Sequence, residues 1–265
     1  CKLYLMNIII LAAGQGTRLR PYTKDLPKCL VKVAGKSFLH RQMQIYNNLG
    51  FDCPVIVAGY KSELILRDFP KVIVNQNYLS TNMLYSLFQA YKNIMSGKDT
   101  IVCYGDIIFS PKLIKLLVND DSDVSLISDK NFIHYWTLRF KNPIDDLETF
   151  SFNSDSMLND IGGKPDSISS IMGQYIGMFK ISSKFAAEFL RHGDDINVQK
   201  TKVRGKYFKQ MYMTDFFSYL IKQSCKIKVL ETFNGWLELD TVSDLQLYES
   251  MHSKDQMLNS LNIKL

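Results

Sequence analysis

The sequence predicts an α/β fold, a mixed and mostly parallel sheet layered between helices, with a small β-rich lobe appended. Three observations predict it. In the first half, short runs that are apolar on both faces alternate with segments of helical period, the signature of βα units feeding a parallel sheet. After residue 120, β-rich segments succeed one another with longer polar connections. The chain has 265 residues, 46% apolar and 22% charged, enough for one sizeable core, and it shows no Pro/Gly/Ser-rich linker and no repeat of solenoid period. Residues 1–265 therefore read as one domain.

From the N-terminus, Asn7–Ala13 is expected to be a central strand, because its Ile-Ile-Ile-Leu run leaves neither face polar. Ser37 caps a helix running to Leu49, with Gly50 just past its end, where a left-handed residue is favoured. Cys53–Ala58 and Lys71–Asn75 read as strands. A helix is expected from about Asn82 to Met95, on the spacing of Leu84, Leu87, Phe88, Tyr91 and Met95, with Gly97 stopping it. Thr100–Tyr104 is a further strand ending at Gly105-Asp106, and Pro111 opens a helix in its first turn. Beyond, Asp123–Ser128, Trp136–Phe140, Tyr175–Lys180 and Lys226–Glu231 are expected as strands, and Ser183–His192, Thr214–Gln223 and Ser243–Met251 as helices.

The formal net charge of +6 suits a phosphate-bearing ligand but lacks the basic stripe of a nucleic-acid binder, and the basic run 200–209 reads as a solvated loop. The five cysteines, Cys1, Cys29, Cys53, Cys103 and Cys225, make no CxxC pair and no metal-ligand spacing, which suggests a reducing compartment. The apolar run 3–13 has the look of a signal-peptide core, but a buried first strand starting near Met6 accounts for it, with Cys1–Leu5 upstream of it. No stretch reaches the ~18–20 apolar residues that span a bilayer. A cytoplasmic protein with no membrane or nucleic-acid partner is expected; homo-oligomerisation stays open.

The segment after the first strand, Leu11 to Leu30 (LAAGQGTRLRPYTKDLPKCL), carries the chemistry. A glycine-containing loop at a strand exit brings bare backbone N–H groups against phosphate. It is not the dinucleotide fingerprint, since Leu19 stands where the third glycine belongs, nor a P-loop, since Leu30 stands where Gly35-Lys36-Ser37 would need a glycine.

The whole string resembles the nucleotidyltransferase (nucleoside-diphosphate-sugar pyrophosphorylase) signature LxxGxGTRLxPxTxxxPKxL. The resemblance extends over nearly all of the chain: Tyr104-Gly105-Asp106 looks like the family's metal-binding aspartate, Gly163-Lys164-Pro165 like its substrate-side lysine, and the 236–240 segment WLELD like its second metal segment. The runs at 27–31, 81–87, 173–177 and 235–240 look most like the bacterial phosphocholine cytidylyltransferase branch. The resemblance implies a Rossmann-like three-layer α/β/α nucleotidyltransferase (GT-A-like) fold. It also implies a Mg²⁺-dependent enzyme that transfers CMP from CTP, or a related nucleotide, to a small phosphorylated acceptor. Residues of about 6–120 would form the nucleotide-binding half, and about 121–265 the half holding the acceptor and the second metal ligand.

On that resemblance, Leu11, Ala12, Ala13, Gly14, Gly16, Thr17, Asn77, Thr81, Asn82 and Gly105 are the nucleotide-binding candidates, and Asp106 and Asp240 the metal ligands. Arg18, Lys28 and Lys164 are the catalytic cations, with Lys164 on the acceptor phosphate. The physical chemistry agrees: the attacking phosphate is already an oxyanion, so no general base is required, and the task is to bring anions together and neutralise charge. Trp136, Tyr175 and Trp236 are candidates for an acceptor pocket whose ring faces suit a cationic head, with Glu238 at its rim. A sugar-1-phosphate nucleotidyltransferase and a non-catalytic nucleotide sensor of the same fold are the rival readings.

Overall fold

The structure is a computed structural model that describes residues 6–254, 261–263 and 265; Cys1–Leu5 lie outside the described residues. In chain order its elements are β1 (Met6–Ala12), β2 (Lys32–Val33), β3 (Lys36–Ser37), α1 (Phe38–Leu49), β4 (Val55–Ala58), α2 (Ser62–Asp68), β5 (Val72–Val74), α3 (Met83–Phe88) and α4 (Tyr91–Ile94). Next come β6 (Asp99–Tyr104), β7 (Ile107–Phe109), α5 (Pro111–Asn119), β8 (Val124–Asp129), α6 (Phe132–Arg139), β9 (Phe150–Phe152) and β10 (Leu158–Ile161). The chain closes with β11 (Gln174–Ile181), α7 (Ala186–Val198), α8 (Met213–Lys222), β12 (Ile227–Thr232), β13 (Trp236–Glu238) and α9 (Val242–Lys254).

A seven-stranded sheet in the order β12-β8-β11-β6-β1-β4-β5 runs through the molecule. Its pairs are parallel except those of β11, which lies antiparallel between β6 and β8. β1 is an interior strand, between β6 and β4, with Ile9 and Ile10 fully buried, as a run without a polar face requires. Every residue of β8 is buried as well. Ser37 accepts the His40 N–H at 3.2 Å and Gly50 closes α1 in the left-handed conformation. Ser110 and Pro111 start α5 as the sequence indicates.

Three expectations are corrected. Trp136–Phe140 is not a strand: Trp136–Arg139 end α6, whose Phe132, Tyr135 and Trp136 form a buried stripe at helical spacing, and Phe140 closes the helix in an extended conformation. The β propensity of Trp and Thr yields there to that stripe and to Arg139, which the helix delivers into the interior. The expected helix from Asn82 to Met95 breaks at Gln89-Ala90 into α3 and α4. The helix expected over Ser183–His192 begins at Ala186 and continues to Val198, because Ser182 accepts the Phe185 N–H and holds the preceding turn outside it. The antiparallel β9/β10 pair, which supplies the appended lobe, is too short, and too irregular in register between Leu158 and Asp160, to give a period-2 signal.

Two connections bring distant loops together at one end of the sheet. The parallel β1/β6 pair places the loops leaving both strands side by side, and Gly105 N–H donates to Leu11 O at 2.8 Å. β13 pairs antiparallel with β7, and Leu239 N–H donates to Asp106 O at 2.9 Å, so residues near 240 lie against residue 106.

Candidate active site

The loop after β1 turns on Gly16, which adopts φ +61°, and a short turn over Thr17–Leu19 succeeds it. A side chain at Gly16 would be strained by that φ, and its Cβ would lie 2.8 Å from Lys28 Cβ. Thr23 Oγ1 donates to Gly16 O at 2.7 Å and fixes the loop to its return. Lys28 thus rises along Gly16, and its Nζ donates to Asp106 Oδ2 at 2.7 Å and to Asp240 Oδ1 at 2.8 Å. Burial alone would lower the lysine's affinity for its proton, but Asp106, Asp240 and Glu238 outweigh it and hold the ammonium above its ordinary range. Arg18, largely exposed, pairs with the other oxygen of Asp240.

Asp240 is held from behind. Asp244 Oδ2 accepts from Asp240 N–H at 3.0 Å and from Thr241 N–H at 2.8 Å. The Arg139 guanidinium clamps Asp244 through Nε at 2.9 Å and Nη2 at 3.1 Å, and reaches Glu238 Oε2 through Nη1 at 3.1 Å. Side-chain exposure of Arg139 and Asp244 is 1% each, so this is an interior ion pair with all its partners in place. Burial drives the Glu238 carboxyl above the usual carboxylate range; Arg139 opposes that, and Asp106 and Asp240 add to it. Asp106 keeps a buried oxygen, Oδ1, without a hydrogen-bond partner.

Two hollows meet at this cluster. The first is lined by Leu11, Ala12, Ala13, Gly14, Lys28, Thr81, Asn82, Gly105 and Asp106, together with Tyr78, Ser86 and Tyr104. Gly14 faces open space, with nothing within 4 Å of where a Cβ would stand. Thr81 Oγ1 donates to Asn77 O at 2.8 Å and accepts from Asn75 Nδ2 at 3.0 Å, while Asn82 caps α3. Gly16, Thr17 and Asn77 do not line the hollow: Gly16 buttresses Lys28, and Asn77 donates to Tyr85 OH at 3.0 Å.

The second hollow is lined by Trp136, Tyr175, Trp236 and Glu238, with Arg18, Asp146, Glu148, Gln174, Tyr212, Thr214 and Asp240. Trp136 and Trp236 stand 5.9 Å apart, and their indole N–H groups donate to Asp146 Oδ2 at 3.1 Å and Asp129 Oδ2 at 2.9 Å. The Arg139 guanidinium already lies 5.7 Å from the Trp136 ring centre. Burial pushes the Glu148 carboxyl up to about 6, with Asp215 adding to the shift and Arg204 and Lys206 opposing it. Lys164 is exposed on the loop after β10 and lines neither hollow.

Sequence reasoning missed Arg139, Asp244, Asp146 and Glu148. Reading residues 136–140 as a strand hid Arg139. Thr241 and Asp244 carried the signal of a helix start, and Thr241 Oγ1 does accept the Asp244 N–H at 3.1 Å.

The profile of the MobA-like NTP transferase domain matches residues 8–156, a stretch containing the loop, Lys28, Asp106 and Glu148. The chain belongs to this family. The nucleotidyltransferase is 32% identical over 251 residues to the CTP:phosphoglutamine cytidylyltransferase of Campylobacter jejuni, an alignment covering 91% of this chain and 98% of that one. It is 38% identical over 89 residues to the choline-phosphate cytidylyltransferase of Streptococcus pneumoniae, covering 31% of this chain and 38% of that one. The solved structure of the S. pneumoniae CTP:phosphocholine cytidylyltransferase covers 93% of this chain and superposes with a TM-score of 0.70 at 21% identity, a likeness in fold. The mixed, mostly parallel sheet with its small antiparallel additions is the nucleotidyltransferase fold.

Proposed function

We propose that the chain transfers CMP from CTP to a small phosphorylated acceptor and releases pyrophosphate. The observation that carries this reading is the convergence of Lys28, Asp106 and Asp240 where the two hollows meet. The backbone of 11–14 and Gly105 cradles the triphosphate, and Thr81, Asn82 and Ser86 present hydroxyl and amide groups to the base. Lys28 and Arg18 carry positive charge to the phosphates. An oxygen of the acceptor phosphate attacks the α-phosphorus; the new P–O bond forms as the bond to the bridging oxygen of the β-phosphate breaks, and pyrophosphate leaves with the electron pair. The attacking oxygen is already ionised, so no side chain has to remove a proton from it.

The donor set fits Mg²⁺. Asp106 and Asp240 are hard oxygen ligands that already converge on one cation, and Oδ1 of Asp106 is buried with lone pairs to give. Mg²⁺ bound there supplies charge neutralisation on the triphosphate and the leaving pyrophosphate. On this reading residues 6–120 hold the nucleotide, and residues 121–265 hold the acceptor and Asp240.

For the acceptor, the second hollow favours a primary ammonium over a trimethylated one. Arg139 occupies the neighbourhood of the Trp136 ring and both indole N–H groups are engaged, so carboxylate outweighs aromatic face. Glu148 is the group we assign to that ammonium, and Lys164 to the acceptor phosphate through movement of its loop. A phosphorylated amino acid or amino alcohol is the class that fits, and phosphoglutamine, the acceptor in the name of the Campylobacter relative, belongs to it. The free cysteines among the described residues accord with a reducing cytoplasm, and none of the described helices is long and apolar enough to cross a membrane.

Pyrophosphate release tests the reading, with each of the four triphosphates against phosphoglutamine, phosphoethanolamine, phosphocholine, glycerol phosphate and glucose 1-phosphate. CTP with an ammonium-bearing acceptor is expected to turn over fastest. A preference for glucose 1-phosphate with another triphosphate would assign the chain to sugar-nucleotide synthesis, and nucleotide binding with no pyrophosphate from any pair would make it a sensor.

A further inference from the structure

Away from the two hollows, α7 presents Glu188 and His192 four residues apart, on one helix face. The connection from α8 to β12 brings a third group against them. Ser224 turns with φ +63°, Cys225 N–H donates to Leu220 O at 3.0 Å, and Cys225 Sγ comes to rest 3.4 Å from His192 Nε2. The same ring nitrogen is 3.6 Å from Glu188 Oε1, and all three atoms lie within 4.8 Å of one another. Among the described residues this is the one group of three His, Cys, Asp or Glu side chains with ligand atoms so close together.

The spacing is that of a coordination shell. Zinc bonds of about 2.3 Å to sulfur and about 2.0–2.2 Å to nitrogen and carboxylate oxygen, set at tetrahedral angles, place sulfur ~3.6 Å from nitrogen and nitrogen ~3.4 Å from oxygen. The observed separations are 3.4 and 3.6 Å. The imidazole is held for this: its side chain is 8% exposed, and Tyr219 meets its ring edge-on with centres 6.0 Å apart. Glu188 is half exposed, and the Nη2 of the exposed Arg191 lies 3.8 Å from the same Oε1, a screened surface contact that an ion can replace.

We propose that Glu188, His192 and Cys225 bind a zinc-class divalent ion, as a site separate from Asp106 and Asp240. Thiolate and imidazole select zinc or cobalt over Mg²⁺, whose preferred ligands are all oxygen. On binding, the Cys225 S–H bond ionises, the sulfur electron pair becomes the metal bond, and one proton passes to solvent. Cys225 precedes the start of β12, where Ile227 pairs with Val124, at the sheet end opposite that from which Ala12 and Tyr104 lead into the loops of the active site. The ion therefore ties α7 to β12 and takes no part in nucleotide chemistry.

Cobalt(II) tests this in the full-length protein with excess Mg²⁺ present to hold the Asp106/Asp240 site. The wild type is expected to take up one equivalent with a thiolate-to-cobalt absorption band in the near ultraviolet, displaced by zinc. Cys225→Ser should lose the band, and Glu188→Ala, on the exposed side of the helix, should bind about tenfold or more weakly. Cytidylyl transfer should be unchanged in both. Should Cys225→Ser not fold, zinc protection of Cys225 from iodoacetamide in the wild type, read by mass spectrometry, gives the answer without a variant. A band that survives Cys225→Ser, or labelling of Cys225 at the same rate with and without zinc, overturns the proposal.

Discussion

The two hollows are built in different ways. The first hollow, which we assign to the nucleotide, draws its loop and Lys28 from one stretch of about twenty residues, Tyr78, Thr81, Asn82 and Ser86 from a second, and Gly105 and Asp106 from the strand beside β1. The second, which we assign to the acceptor, gathers Arg18, Trp136, Glu148, Tyr175, Thr214 and Trp236 from six separate segments. A site taken largely from one contiguous stretch is set by local turns, while one gathered from six segments depends on the tertiary fold to bring it together.

The sharpest test of this division lies where the hollows join. Asp106→Asn and Asp240→Asn should each lower kcat by about a thousandfold or more in folded protein, several kcal/mol of transition-state stabilisation, because each removes a charged oxygen from the proposed metal site. Rapid-quench rates together with circular dichroism check this, and near-normal turnover in either folded variant would remove the common centre.

Next in size, Arg139→Met should destabilise the fold by about 3–5 kcal/mol, since Asp244 would be left buried and uncompensated. Chemical denaturation measures it. A loss under about 1 kcal/mol, the scale of an exposed ion pair, would mean that the Arg139–Asp244 clamp is not what holds Asp240 from behind.

Glu148→Gln should reduce kcat/KM for ammonium-bearing acceptors roughly ten- to a hundredfold, the worth of about 1.5–3 kcal/mol for a charged hydrogen bond, and leave the KM for CTP alone. A carboxyl raised to about 6 carries its charge above that pH and loses it below. Every phosphorylated acceptor gains rate through this range as its own phosphate ionises, so the wild-type rise for a primary-ammonium acceptor should be steeper than the variant's by the share that Glu148 contributes. A neutral-headed acceptor that loses as much steepness in Glu148→Gln would detach Glu148 from the head group.

The smallest effect is expected at Lys164→Ala, about two- to fivefold on acceptor KM with no change for CTP, because an exposed lysine gives only a screened contact of up to about 1 kcal/mol. Initial-rate kinetics in both substrates separate the two, and an equal rise in both KM values would misplace the residue.

The same contrast governs what can be read from the sequence. The strands of the main sheet up to Tyr104 are legible because of their short apolar runs, and the Leu11–Leu30 string because its residues act close together in the chain, whereas the two-residue β2 and β3 give no pattern to read. Asp240 is legible only through resemblance, since its approach to Asp106 depends on β13 pairing with β7. Arg139 is not legible at all: a buried cation gives no local signal, and its carboxylate partners come from two later elements. Glu148 is hidden in a polar connection whose folding over Gln174 is a tertiary event, in which Gln174 Nε2 donates to Glu148 O at 2.6 Å.

The packing of Lys28 against Gly16 bears on how fast such a site can act. A free lysine side chain samples many rotamers, and ordering one costs up to about 2 kcal/mol. Here the stem lies against a backbone with no Cβ to push it aside, and the ammonium is held between two carboxylates, so the chain stands in one posture before any substrate arrives. Stiffness of this kind moves an entropic cost from the moment of reaction to the moment of folding. A methyl group at position 16 would then act at a distance: by displacing the stem it would return to Lys28 the mobility that folding removed, with every charge in the site still present.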